Sequence, residues 1–259
     1  MDLLERIFEP NGLETHVQPI AVFEQGNPRV DALECLTRGP AGTNLRRAEV
    51  LFEYVRRKGA EARVDRACIR QAFGAAATLP PELGICVNVH ASTLSRDSHF
   101  GGFLLLACEA FGVSPARLTL EITEHTSAAD GAQLLANLRV LRAGGMRVAV
   151  DDIGMGMSNL GMILDVAPEF FKIDRYVVAG CATDPRRVAV LETLQNLASR
   201  LGGSVVAEGV ETKEDLDVVL GCGIRHIQGY LIGRPVEASL YAATHALQQR
   251  SEPQPHPTL

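Results

Sequence analysis

The sequence predicts an α/β fold: a closed, TIM-like (β/α)8 barrel with one antiparallel strand near its N-terminus. Three observations carry this prediction. One unit recurs along the chain, in which an amphipathic helix ends at glycine, a short apolar strand follows, and a polar residue closes the strand. Eight candidate strands, separated mostly by helices, fit within 259 residues, a length at which single α/β barrels are common. The first two strands are joined only by "EQGNPR", whereas parallel neighbours need a dozen or more connecting residues, so this pair must be antiparallel.

The elements follow in order. "HVQPIAVF" (16–23) is a strand carrying Gln18, and "VDALECLTR" (30–38) carries Glu34 and Arg38. "GICVNVH" (84–90) carries Asn88, and "RLTLEITEH" (117–125) carries Glu121 and then Glu124. Leu134, Leu138 and Leu141 recur at helical spacing before the stop Gly144-Gly145, and Val148 to Val150 then form a strand ending in Asp151-Asp152. "PEFFKID" (168–174) carries Lys172 and Asp174. Val190, Leu191, Leu194, Leu197 and Leu201 line a helix that stops at Gly202-Gly203, and Val205-Val206-Ala207 leads into Glu208. Thr212 is placed to N-cap a last repeated helix, which stops at Gly221 before a strand closed by Gln228. Glycine suits these stops because it adopts the left-handed conformation without a Cβ clash.

Composition narrows the function classes. A net charge of −6 and short, scattered basic runs exclude a general DNA-binding surface. The six cysteines form no C-x-x-C pair and sit among apolar neighbours, which fits reduced, buried thiols in a cytoplasmic protein. "MDLLERIFEP" is acidic and amphipathic rather than a leader, and no apolar run reaches the ~18 residues of a membrane span. Residues 1–247 are expected to form one barrel domain, and 248–259 a disordered tail rich in proline.

Barrel enzymes gather their reactive groups at the C-terminal ends of the parallel strands. Glu34, Asn88, Glu121, Asp151, Asp152, Lys172, Glu208 and Gln228 should therefore share one mouth. Taken singly, each is equally well explained as a strand-end cap. Adjacent carboxylates such as Asp151 and Asp152 repel, however, and one is driven toward protonation unless a cation sits between them. The set offers oxygen ligands and places no histidine or cysteine at the strand ends, which selects Mg²⁺ or Mn²⁺ over zinc or copper. Five carboxylates with Asn88 can hold two such ions, an arrangement suited to in-line attack on phosphorus. Lys172 suits a phosphate oxygen or the attacking water, and Arg38 a phosphate or a guanine edge. His90, His125 and His226 lie at scattered offsets and read as neutral structural groups. A barrel enzyme using Mg²⁺ on sugar phosphates or enolates stays open on these residues alone.

In their order, "QPI", "ECLTRGP", "VNV", "LEITE", "VDDIGMGMSNL", "FFKID", "VVAEGVET" and "IQGYLIGRP" resemble the motifs of EAL-type cyclic di-GMP phosphodiesterases, from about Gln18 to Pro235. The resemblance implies hydrolysis of one phosphodiester of cyclic di-GMP to linear pGpG with two Mg²⁺ or Mn²⁺ ions, Ca²⁺ being inhibitory. It implies that Glu34, Asn88, Glu121 and Asp151 hold one metal and Asp151, Asp152 and Glu208 the other. Lys172 would contact the attacking water, and Glu208 would also serve as its base. Gln18, Arg38 and Gln228 would lie near the substrate. Glu124 would hold the loop after Asp152, and Glu211 would support the site. A homodimer is compatible with the resemblance. Three departures are visible: the signature reads Glu34-Cys35-Leu36, with cysteine for alanine, and Met155 and Met157 stand in the loop where the family carries smaller or aromatic residues. The competing expectation is a catalytically weak or inactive member that acts as a cyclic di-GMP receptor or a protein-interaction module.

Overall fold

In the computed structural model, which describes residues 2–123, 131–155 and 159–251, β1 (Glu14–Glu24) and β2 (Asn27–Arg38) form an antiparallel hairpin. Its turn is two residues long, Gln25 (φ 51°) and Gly26 (φ 84°), both left-handed. This is the turn geometry that matches the twist of paired strands. The connection is thus shorter than "EQGNPR", because Asn27 already pairs with Glu24.

Six further strands complete the barrel: β3 (Gly84–His90), β4 (Leu118–Thr123), β5 (Arg147–Ile153), β6 (Phe170–Ile173), β7 (Ser204–Ala207) and β8 (His226–Gln228). Each of β2 to β8 runs parallel to the next. β1 runs antiparallel to both β2 and β8 and closes the circle, with the short β9 (Val236–Glu237) on its outer side. The reversed strand predicted near the N-terminus is β1.

Helices cover the outside. α1 (Leu3–Ile7), α2 (Ala48–Lys58) and α3 (Glu61–Ala76) precede β3. α4 (Ala91–Arg96) and α5 (Phe100–Phe111) lead to β4, and α6 (Gly131–Ala143) leads to β5. α7 (Asn159–Val166) precedes β6, α8 (Arg175–Val178) and α9 (Pro185–Arg200) precede β7, α10 (Lys213–Gly221) precedes β8, and α11 (Ala238–Ser251) ends the described chain. Left-handed Gly145 and Gly202 follow α6 and α9 as the stops require. At the third stop α10 includes Gly221, and the left-handed residue is Gly223 (φ 87°), since Cys222 extends the helical backbone by one position. Thr212 caps α10 by accepting from the Asp215 amide. The expected tail began at residue 248, but α11 reaches Ser251, because the first proline beyond it is Pro253. Residues 252–259 lie outside the described residues.

The strand period of two builds the site. Outward residues such as Leu33, Val87, Leu120, Val150, Phe171, Val205 and Ile227 pack under the helices in the main core. Inward residues form two storeys. Ile20, Ala32, Cys86, Thr119, Ala149, Phe170, Val206 and His226 fill the lower one around a cavity of about 20 Å³. Two positions further along each strand stand Gln18, Glu34, Asn88, Glu121, Asp151, Lys172, Glu208 and Gln228; on β1, which runs the other way, Gln18 is two before Ile20. The polar storey therefore rests on a largely apolar floor, with Asp31 and Arg147 also lining its cavity, and each residue of the polar storey is aimed inward by the pleat.

Candidate active site

Lys172 occupies the centre of the upper storey with 1% of its side chain exposed. Its Nζ lies 2.6 Å from Glu121 Oε2, 2.7 Å from Glu208 Oε1, 3.3 Å from Asp151 Oδ1 and 3.5 Å from Glu34 Oε2. Asn88 Nδ2 donates to Glu34 Oε1 at 2.8 Å, and Gln228 Nε2 donates to Glu34 Oε2 at 2.6 Å. Gln228 Nε2 also lies 3.3 Å from Gln18 Oε1, and Gln18 Nε2 donates to the Gly233 carbonyl at 3.0 Å. Ligand atoms of Asp151, Asp152 and Glu208 lie within 4.8 Å of one another. Asp152 takes this place with a left-handed backbone (φ 55°), a conformation that costs a non-glycine residue energy and that clusters at functional sites.

The electrostatics follow from burial and an excess of acid. Five carboxylates face one ammonium here, a deficit that two divalent cations would cancel. Burial raises Glu121 well above the usual carboxylate range, the charge of Glu34 adds to this, and Lys172 opposes it. Burial likewise raises Glu208 and Asp151 against the pull of Lys172. Asp152 is pushed up to about 6 by burial, then by Asp151 and Asp174. Burial also opposes ionisation of Glu34, yet Lys172 and the hydrogen bonds from Gln228 and Asn88 outweigh it and hold that carboxyl low. Burial works against the charge on Lys172 too, but the surrounding carboxylates keep it charged. Cations would displace protons from this cluster, and its donors are all oxygen. Gln228 Oε1, buried with no hydrogen-bond partner in the structure, adds a further oxygen at the same mouth. The residues fit hard divalent cations. Cys35, the neighbour of Glu34, packs in the main core, and burial pushes its thiol up to about 12.

Two arms of open space leave the cluster, and Glu34 and Asp151 line both. One, of about 300 Å³, runs past Asn88 and Asp152 to Phe52, Arg56 and Asp65. The other, of about 250 Å³, runs past Lys172 and Glu208 to Arg175, Glu211 and Tyr230.

Of the expected site residues, Glu34, Asn88, Glu121, Asp151, Asp152, Lys172, Glu208, Gln18 and Gln228 come together. Arg38 does not reach the cluster: it ends β2, its Nη1 donates to the Thr37 carbonyl at 3.3 Å, and it lines neither arm. Glu211 pairs with Arg175 at 3.2 Å on the rim. Glu124 and Met157 lie outside the described residues, and Met155 is exposed. His90 caps α4 by accepting from the Ser92 amide while lining the 300 Å³ arm, and His226 sits in the lower storey, its pKa lowered by burial. Asp65 and Arg175 escaped the sequence reading. Asp65 was signalled by a carboxylate among the apolar positions of α3, and Arg175 by its place directly after a strand, where barrel loops carry binding groups.

The comparisons with known proteins agree with this geometry. The EAL domain family matches residues 2–235. The probable cyclic di-GMP phosphodiesterase PdeG of Escherichia coli is 34% identical over 64% of this chain and 33% of its own. The cyclic di-GMP phosphodiesterase PdeB of Shewanella oneidensis is 28% identical over 92% of this chain and 28% of its own. The first three curated relatives are matched over only 20 to 28% of their length. BlrP1 of Klebsiella pneumoniae, solved with calcium and cyclic di-GMP and also with manganese and cyclic di-GMP, superposes with a TM-score of 0.78. It is 28% identical, over 88% of this chain and 56% of its own in the calcium complex. The chain belongs to the EAL domain family.

Proposed function

We propose that this domain is a metal-dependent phosphodiesterase that hydrolyses cyclic di-GMP to linear pGpG, lowering the level of this second messenger. The observation that carries the proposal is the complete set of five carboxylates and one amide gathered around Lys172 at the barrel mouth. Degenerate binding modules lose members of such a set, and this chain keeps them all.

Glu34, Asn88, Glu121 and Asp151 would hold one divalent cation, and Asp151, Asp152 and Glu208 a second. Bound there, Mg²⁺ or Mn²⁺ supplies an acidified water and charge stabilisation at phosphorus. The protein's own groups do the rest. Glu208, whose pKa burial raises, accepts the proton of the attacking water. The water oxygen bonds to phosphorus, the bond from phosphorus to the ribose 3′-oxygen breaks, and that oxygen takes a proton from solvent, while Glu208 returns to solvent the one it accepted. Lys172, held charged by its carboxylates, steadies the water or a phosphate oxygen from below. Gln18 and Gln228 present amides to the substrate, and Arg38, at the end of β2, is assigned to the substrate by the family resemblance alone. Glu211 pairs with Arg175 at the rim.

The catalytic domain is proposed to span residues 1–247. A cytoplasmic setting is part of the proposal, supported by six free cysteines and by the absence, among the described residues, of any helix long and apolar enough to cross a membrane. Exposed Leu160 and Leu164 on α7 and Tyr176 on α8 support a homodimer.

The metal requirement provides the test. Hydrolysis of cyclic di-GMP should proceed with Mg²⁺ or Mn²⁺, fall when Ca²⁺ replaces them, and stop in chelator. Ca²⁺ inhibits because it prefers longer bonds and more ligands than this cluster offers. Full activity in excess chelator would overturn the two-metal assignment.

A further inference from the structure

Arg175 has no part in the metal site or the chemical step described above, yet the fold brings it to the mouth. The 250 Å³ arm is lined at its inner end by Glu34, Asp151, Lys172 and Glu208, and at its outer end by Arg175, Glu211 and Tyr230. Four carboxylates already surround Lys172. Among the other residues lining this arm, Arg175 is the sole cation. Its stem lies across Gly209, where a Cβ would come within 2.5 Å of Arg175 Cγ and where the backbone is left-handed (φ 68°). Glycine directly after Glu208 is what lets the arginine pass over the rim. The guanidinium rests on Glu211 at 3.2 Å, with 59% of the arginine side chain exposed. An exposed pair of this kind is weak, so an incoming anion can draw the guanidinium away.

Cyclic di-GMP carries two phosphodiesters, and only one is cut. With the scissile group beside Lys172 and Glu208, the other lies one ribose away. It needs a cation within reach of an acidic cluster. The 300 Å³ arm also has a cation, Arg56, but Glu61 and Asp65 share its lining, and its wall of Phe52, Val55, Ile69 and Ala72 suits a base rather than a phosphate. We infer that Arg175 binds the uncut phosphodiester of cyclic di-GMP and thereby selects dinucleotides over substrates with a single phosphodiester. A guanidinium fork matches two phosphate oxygens at once, which an ammonium does not. The inference rests on the proposed reaction.

The experiment compares native protein, Arg175→Ala and Arg175→Lys on cyclic di-GMP and on bis(p-nitrophenyl) phosphate, which has one phosphodiester, both with Mn²⁺. Arg175→Ala should raise KM for cyclic di-GMP about tenfold and lower by a similar factor the ratio of kcat/KM for the dinucleotide to that for the small diester. Arg175→Lys should recover part of the loss. Added salt should raise KM for cyclic di-GMP more steeply in the native protein than in Arg175→Ala, since an ionic contact has been removed. An unchanged KM, or equal loss on both substrates, overturns the inference. If the native protein cleaves neither substrate, the proposed reaction fails, and calorimetric binding of cyclic di-GMP in Ca²⁺ still decides the contact. Tenfold weaker binding by Arg175→Ala supports it; equal affinity overturns it.

Discussion

Lys172 and Glu208 touch at 2.7 Å, and the account gives them different work. In the proposed reaction Glu208 acts chiefly in the transition state, so its removal should cost rate more than affinity. Glu208→Gln keeps the shape and one oxygen but loses the charge and the basicity. The expected result is a fall in kcat on the order of 10²-fold or more, the range of a lost general base. Binding of cyclic di-GMP should largely survive, because Gln18, Gln228 and the other cluster residues remain. Stopped-time assays with a parallel titration would show it, and a native rate in the variant would contradict the assignment. At this scale most of the site was legible, since one polar residue near each strand end is visible in a single chain. Arg38 was legible as a residue and not as a position: it is the last residue of β2, and its Nη1 bonds the neighbouring Thr37 carbonyl rather than any group of the cluster. Arg175 was hidden because its importance depends on a glycine 34 positions away in sequence.

Among the elements, α3 does something that its amphipathic pattern does not announce. Its Asp65, 4% exposed, accepts from the Thr93 hydroxyl at 2.6 Å and from the His90 amide at 3.2 Å. It thus ties α3 to the end of β3, two residues past Asn88, and to α4. Burial pushes this carboxyl up from the ordinary 3.8 to about 7, with His90 and the two hydrogen bonds pulling down and Glu61 pushing up. The folded protein therefore holds a proton that the unfolded chain releases. The stability this provides is complete below pH 4 and is lost as pH rises through about 7. Asp65→Asn keeps an acceptor and removes the titration. The stability of the variant relative to the native protein should rise between pH 4 and 7, by up to roughly 4 kcal/mol, at about 1.4 kcal/mol per pKa unit. Urea unfolding of the metal-free proteins across that range measures it, and a constant difference would refute the role given to burial. Elements were otherwise well predicted where periodicity and glycine stops agree, as in α6 and β5. The hairpin turn was not, because "EQGNPR" conceals strand residues whose pairing only the fold reveals.

Across the whole molecule, one regularity of backbone geometry builds the site. A period of two sends alternate residues inward, the barrel closes those directions onto one axis, and a largely apolar lower storey dries the base of an acidic upper one. The net charge of −6 is compatible with an anionic substrate because the acidity at the mouth is matched by Lys172 and by the cations the cluster fits. The measurement that tests this most directly is incubation of the pure protein with cyclic di-GMP and Mn²⁺, followed by chromatography of the products. The account predicts conversion to linear pGpG with Mn²⁺ and no conversion in chelator. Tight binding of cyclic di-GMP without cleavage in Mn²⁺ or Mg²⁺ would contradict it and make the domain a receptor.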